Sequence, residues 1–317
     1  MKVFTPTTLS KEKIIALLLS GSAFLTACSN AESNTALTTG DNDSNPTHNS
    51  AQKEQITKIE SLEQVKPNYI FKRWAGEYYL TIDEESLSQI IQLAMRDAQK
   101  FYLGIGSYNM KLDENFNNIP GNENFYTDWM NTEFFMARAK QEASELFMVN
   151  YRAGLSSDIN KDPCGIMQIN PKSTKDTLME YYRTIYKENI DLSHLQVFPS
   201  DEDVANVERS KQAQKNITQT VYNNIYLSIC YDIYETKCLN PGHENYFKPY
   251  GGYNESIRHH AAIAAYYYSL DDIVESLIDG SFYDKYYPTV YVQNILKFQE
   301  EFKTKNIRQR YYNQQEK

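Results

Sequence analysis

Among the ionisable side chains of this 317-residue chain, Glu142 has the placement that best suits proton transfer. From about Asp128 to Phe147 the apolar residues recur at helical spacing, with Phe135, Ala139 and Leu146 on one stripe. With Phe135 set at zero and about 100° per residue, Ala139 falls near ~40°, Leu146 near ~20° and Glu142 near about −20°. A carboxylic acid on that inward face loses hydration when it ionises, so its pKa should rise until it can hold a proton near neutral pH. That is the requirement for a general acid. Periodicity alone leaves a second reading open, in which Glu142 sits at the edge of the stripe and is solvated or salt-bridged. Asp158 and Asp162, in the loop before Gly165, are further carboxyls that could orient water. His259 and His260 are adjacent and so point in different directions along a helix, which is not metal-ligating spacing. No Gly-rich phosphate loop, Ser-His-Asp order or zinc-type cysteine spacing is present, and neither a metal nor a cofactor is expected.

The elements that must position Glu142 are helical. Thr81-Ile82-Asp83-Glu84 fits a capping box, and Leu87, Ile90, Ile91, Ala94, Ala98 and Phe101 then recur with the period of a helix over about Asp83 to Tyr102. An Asn/Gly-rich loop from about Lys111 to Asn124 separates it from the Glu142 helix. No internal repeat is visible, and residues 65–317 are long enough for one domain with a substantial core.

Four short blocks in order carry a family resemblance. Ala139-Lys140-Gln141-Glu142 is followed by Gly165-Ile166-Met167-Gln168-Ile169-Asn170-Pro171, then Ala264-Ala265-Tyr266-Tyr267-Tyr268-Ser269, then Thr289-Val290-Tyr291-Val292. Over about 137–302 this pattern resembles the soluble lytic transglycosylase domain, which shares a lysozyme-like fold with goose-type lysozymes. The resemblance implies an all-α domain with a long glycan groove and Glu142 at the groove's centre, while the polar stretch from about Lys175 to Lys215 departs from the family and reads as an additional helical lobe. It implies that Tyr266 places its hydroxyl near Glu142, that Met167, Gln168, Asn170 and Tyr267 contact substrate, and that Tyr151 and Tyr268 are further candidates for groove walls. The implied reaction cleaves the β-1,4 bond after N-acetylmuramic acid in peptidoglycan. Glu142 protonates the leaving oxygen, the sugar's acetamido group assists departure, and the ionised Glu142 deprotonates the 6-hydroxyl that closes a 1,6-anhydro ring. The chain departs from the family at Ala143, where Ser is usual, and at Tyr267 and Ser269, where Asn and Gly are usual. A muramidase using Asp158 or Asp162, and a non-catalytic lipoprotein that holds peptidoglycan, are the alternative readings.

The amino terminus reads as a targeting segment. Lys2, Lys11 and Lys13 precede an apolar run from Ile14 to Leu25, too short and too Gly/Ser-interrupted to remain as a membrane span. Leu25-Thr26-Ala27-Cys28 resembles the bacterial lipobox, which implies removal of residues 1–27, a lipid on Cys28 and a membrane anchor. Ser29 after the cysteine, in place of Asp, favours the outer membrane facing the periplasm. Residues 28–64 are polar, too poor in large apolar groups to offset ordering entropy, and read as a disordered tether with an r.m.s. reach of roughly 30–35 Å. Removal of the leader takes away three Lys and one Glu and moves the formal charge from −9 to −11, which argues against nucleic acid as a partner; peptidoglycan glycan strands are the partner that the resemblance implies. Of the remaining cysteines, Cys230 and Cys238 can pair only if the helix ends between them, since eight helical residues span about 12 Å. Buried free thiols are the alternative.

Overall fold

The computed structural model describes residues 59–103, 129–153, 162–187, 189–239 and 244–315. The chain is mostly helical, with one hairpin ahead of the helices. The hairpin pairs β1 (Tyr69–Trp74) antiparallel with β2 (Glu77–Ile82), from Tyr69 opposite Ile82 to Trp74 opposite Glu77. Its two-residue turn has φ of 49° at Ala75 and 96° at Gly76, the double left-handed geometry that matches strand twist. The helical content agrees with the expected all-α class, and the hairpin is an addition to it. Ala-Gly lacks the Asn-Gly or Asp-Gly signal of such turns, so the hairpin was not legible.

Helix α1 (Glu84–Leu103) follows directly. Its cap is Asp83, whose carboxylate accepts the Ser86 and Asn68 N–H groups at 2.9 and 2.8 Å, and not Thr81, which lies in β2 and donates its hydroxyl to the Ile70 carbonyl. The expected tether end is also shorter than read, because Leu62–Gln64 forms a 3₁₀ turn and Val65 is buried. Helix α2 (Thr132–Glu142) is capped by Asn131 and ends at Glu142 itself, five residues before the expected Phe147. Ser144 and Phe147 both take positive φ, 64° and 50°, which a continuing helix excludes.

Helices α3 (Pro171–Tyr186), α4 (Asp201–Asn206) and α5 (Lys211–Cys238) come next. The 28 residues of α5 make a rod of about 42 Å, and its buried residues continue from Ala213 to Cys238. Helices α1, α3 and α4 pack on it. The polar stretch read as an additional lobe is anchored on the same core. Leu192, Val197 and Val207 are buried there, and Asn223 and Asn224 of α5 donate to the Gln196 and Val197 carbonyls. Because α5 runs unbroken through both cysteines, the Cys230–Cys238 bridge does not form; both are buried free thiols, as is Cys164. The turn-forming Asn240-Pro241-Gly242 comes only after Cys238 and lies outside the described residues.

The chain closes with α6 (Glu244–Phe247), α7 (Glu255–Tyr267), α8 (Leu270–Asp279), α9 (Phe282–Lys285) and α10 (Val290–Gln315). Helix α10 lies along α2 in the most extensive helix pairing of the fold. Lys140 to Glu301 at 2.9 Å, Asn294 to Gln141 at 3.0 Å and Gln299 to the Trp129 carbonyl at 3.0 Å fix its register. Among the described residues no helix is long and apolar enough to cross a membrane.

Candidate functional site

Glu142 is the last residue of α2, half-buried, with Phe135 and Ala139 of its stripe fully buried. Its Oε1 accepts a hydrogen bond from the hydroxyl of Tyr291, 149 positions later on α10. No described residue donates a hydrogen bond to Oε2. Burial pushes the carboxyl up to about 7, against the opposing pull of the Tyr291 hydroxyl and the Arg138 guanidinium, both of which favour the ionised form; Asp232 adds to the rise. Its position at the helix carboxyl end acts in the same direction, because the unpaired carbonyls there disfavour negative charge.

Beneath Glu142 lies a buried ionic cluster. Arg138, one turn earlier on the same face of α2, is fully buried, with one guanidinium nitrogen 2.9 Å from Asp232 of α5. Its Cζ sits 3.8 Å from the ring centroid of Tyr266. Burial raises Asp232 to about 6, opposed by Arg138, so at neutral pH it is largely ionised against the guanidinium. Glu235, one turn further along α5 and also buried, is pushed well above the usual carboxylate range by desolvation and by the negative charge of Asp232, against the pull of Arg138.

The Gly165–Asn170 turn forms the neighbouring wall, and its backbone is pinned from three sides. Asn224 of α5 accepts the Met167 N–H at 2.9 Å and donates to the Cys164 carbonyl at 2.9 Å. Tyr266 of α7 donates its hydroxyl to the Met167 carbonyl at 2.5 Å and lies 3.2 Å from the Ser228 hydroxyl. The Tyr151 carbonyl accepts from the Gly165 N–H at 2.9 Å and from Gln168 Nε2 at 3.0 Å. Gly165 has φ of +75°, and a Cβ there would stand 2.4 Å from Asn224 Nδ2. Gly165→Ala should therefore cost about 1–3 kcal/mol by displacing the turn from Asn224, a loss read as a lower urea midpoint.

Several positions expected to meet substrate are occupied otherwise. Met167 has its side chain fully buried, so it supports the wall from behind and does not reach the surface. Gln168 donates its Nε2 to the carbonyls of Tyr151 and Gly165, while its Oε1 is buried with no described partner. Asn170 caps α3 by accepting the Ser173 N–H at 3.0 Å. Tyr266 contributes its hydroxyl to the Met167 carbonyl and not to Glu142, the reverse of the expected pairing, although its ring lies against the Arg138 side chain. Tyr267 is 58% exposed and stacks on the Tyr291 ring at 4.5 Å, so it roofs the residue that holds Glu142. Tyr268 packs edge-on against Tyr286. Asp162 is paired with Arg152 at 2.7 Å, while Asp158 and Cys28 lie outside the described residues. His259 is stacked on Trp129 at 4.5 Å, its pKa lowered to about 3 mainly by burial. Among the described residues no group of three or more His, Cys, Asp or Glu side chains could hold a metal ion.

The residues that sequence reading passed over are Tyr291, Arg138, Asp232 and Glu235. Tyr291 stands inside one of the four blocks, and Arg138 shares the Glu142 face by the same helical arithmetic; nothing in the local pattern marks the two acids of α5. Because the Tyr291 hydroxyl bonds the ionised carboxylate, Tyr291→Phe should move the Glu142 pKa upward from about 7, which a carbon-13 NMR titration of the Glu carboxyls would detect. No protein-family model matches the chain, and no curated protein or solved structure matches it.

Proposed function

We propose that this chain is a peptidoglycan lytic transglycosylase built on a lysozyme-like helical domain. The observation that carries this reading is Glu142, a half-buried carboxyl at a helix end, pushed up to about 7 and gripped on one oxygen by Tyr291. A group poised there is present in both protonation states at neutral pH, so it can give a proton to a departing sugar oxygen and take one back. The four blocks that resemble the family supply the substrate, and three of them meet around this carboxyl: Glu142 itself, the wall from Gly165 to Asn170, and Tyr291.

In the proposed reaction Oε2, which no described residue donates to, faces the scissile oxygen and carries the proton. The acetamido group of N-acetylmuramic acid assists departure, and the ionised carboxylate then removes the proton of the 6-hydroxyl as the 1,6-anhydro ring closes. No water is consumed, and no second carboxylate or cofactor is required. Asp162 is held by Arg152, which disfavours the hydrolytic alternative in which it activates water. The proposed setting is the cell envelope, with a lipid on Cys28 anchoring the chain to the outer membrane.

Mass spectrometry of purified peptidoglycan digested with the protein tests the reading. Anhydro-ended muropeptides are expected. Reducing-end products would replace the lyase with a muramidase, and binding without release would leave a peptidoglycan-holding lipoprotein.

A further inference from the structure

The tip of the β1–β2 hairpin presents an aromatic group at the edge of the core, in which Tyr79 and Tyr151 pack against the core and Trp74 stands out from it. Trp74, at the end of β1, is 40% exposed, although burying an indole is among the larger hydrophobic gains available to a chain. Its ring forms a closed set with Tyr79 of β2 and Tyr151, with centroid separations of 6.0, 5.8 and 5.8 Å and interplanar angles of 71°, 82° and 70°. Three nearly perpendicular rings make the corner of a box, not a stack, and such a corner offers a π face to a ligand while its other walls stay fixed.

Two observations bear on what the corner meets. First, it is tied to the site through the backbone. The Tyr151 carbonyl is the acceptor that pins Gly165 and Gln168, and β2 is bonded to the segment just after Glu142 through Val149 N–H to the Leu80 carbonyl at 2.8 Å and Ile82 N–H to the Phe147 carbonyl at 3.2 Å. Second, the corner's face of the hairpin carries a cation. Lys72 is the cross-strand partner of Tyr79, on the same face as Trp74, and it is exposed on a chain of net charge −9, whereas Arg73 and its partner Tyr78 alternate to the opposite face. The nearby Glu77 carboxylate accepts the Tyr79 hydroxyl at 2.8 Å, which fixes that ring.

We infer that Trp74, Tyr79 and Tyr151 form a carbohydrate subsite for an N-acetylated amino sugar of a glycan strand, with Lys72 meeting a carboxylate of its peptide stem. A pyranose presents an apolar C–H face that matches an aromatic face, and the acetamido methyl extends that apolar contact. The stem carboxylate complements the Lys72 cation. The subsite rests on the proposed glycan substrate for the identity of its ligand and lengthens the surface that the strand contacts beyond Glu142.

The test uses the full chain carrying Glu142→Gln, so that binding is read without cleavage, sedimented with purified peptidoglycan and with the same material stripped of its stems. Trp74→Ala in that background should weaken binding to both by about tenfold, and Trp74→Phe should restore most of it. Lys72→Gln should weaken binding only where stems are present. Trp129, the other tryptophan, is buried, so ligand should also protect the tryptophan fluorescence of the parent from acrylamide quenching. If the parent binds and Trp74→Ala binds equally well, or loses affinity only together with a fall of several degrees in Tm, the subsite is wrong while the glycan reading stands. If the parent itself binds neither material, both fall.

Discussion

Glu142→Gln should remove glycan release by ~10²–10⁴-fold while leaving binding in place, because the amide keeps the shape and the bond from Tyr291 but has no proton to give. The same substitution should change stability, in a direction fixed by linkage. An acid raised from 4.5 to about 7 on folding is protonated in both states below pH 4.5 and contributes nothing there. As the pH rises from 4.5 to 7 the unfolded chain sheds a proton that the folded chain retains, so stability falls and then levels off above 7. With allowance for solvent reaching a half-buried group, the loss is about 1–3 kcal/mol. The Gln variant does not titrate. Urea denaturation should find it progressively more stable than the parent between pH 5 and pH 8, and a gap that stays constant across that range would mean that Glu142 is not a raised acid.

The second large effect is expected at Arg138. Arg138→Met removes the partner 2.9 Å from Asp232 and the cation over the Tyr266 ring, and leaves a buried carboxylate bonded by the Ser228 hydroxyl but without a countercharge, and with a second acid, Glu235, one turn away. Breaking a buried pair from one side costs about 3–5 kcal/mol at neutral pH, seen as a lower urea midpoint. Asp232 is then raised further above its present value of about 6, so the deficit should shrink as the pH falls and the acid takes up its proton. Pairing the change with Asp232→Leu should recover most of the loss, since the desolvation penalty of both ions disappears together. The guanidinium also lowers the Glu142 pKa, so its removal should carry the alkaline limb of any activity profile upward.

How much of this was readable in the sequence depended on range. The stripe arithmetic put Glu142 on the inward face of α2, where burial raises its pKa, because that signal is local and periodic. It missed that α2 stops at Glu142, since Ser144 and Phe147 carry left-handed backbone that no propensity announces. The resemblance singled out Tyr266 as the hydroxyl beside the acid, whereas Tyr291 makes that bond and Tyr266 steadies the wall at Met167. Both tyrosines lie in the quoted blocks, and the choice between them is made by the docking angles of α7 and α10, which no short motif encodes. Asp232 and Glu235 were invisible because acids are ordinarily placed on the surface, and only the guanidinium on another helix makes their burial tolerable. The hairpin was lost to an Ala-Gly turn, and with it the exposed Trp74.

The bond between Glu142 and Tyr291 spans 149 positions, with its far end at the start of the last helix. The first half of the pair is therefore supplied by α2 and the second by α10, which lies along it. A chain truncated before α10 keeps the acid but lacks the hydroxyl that holds it.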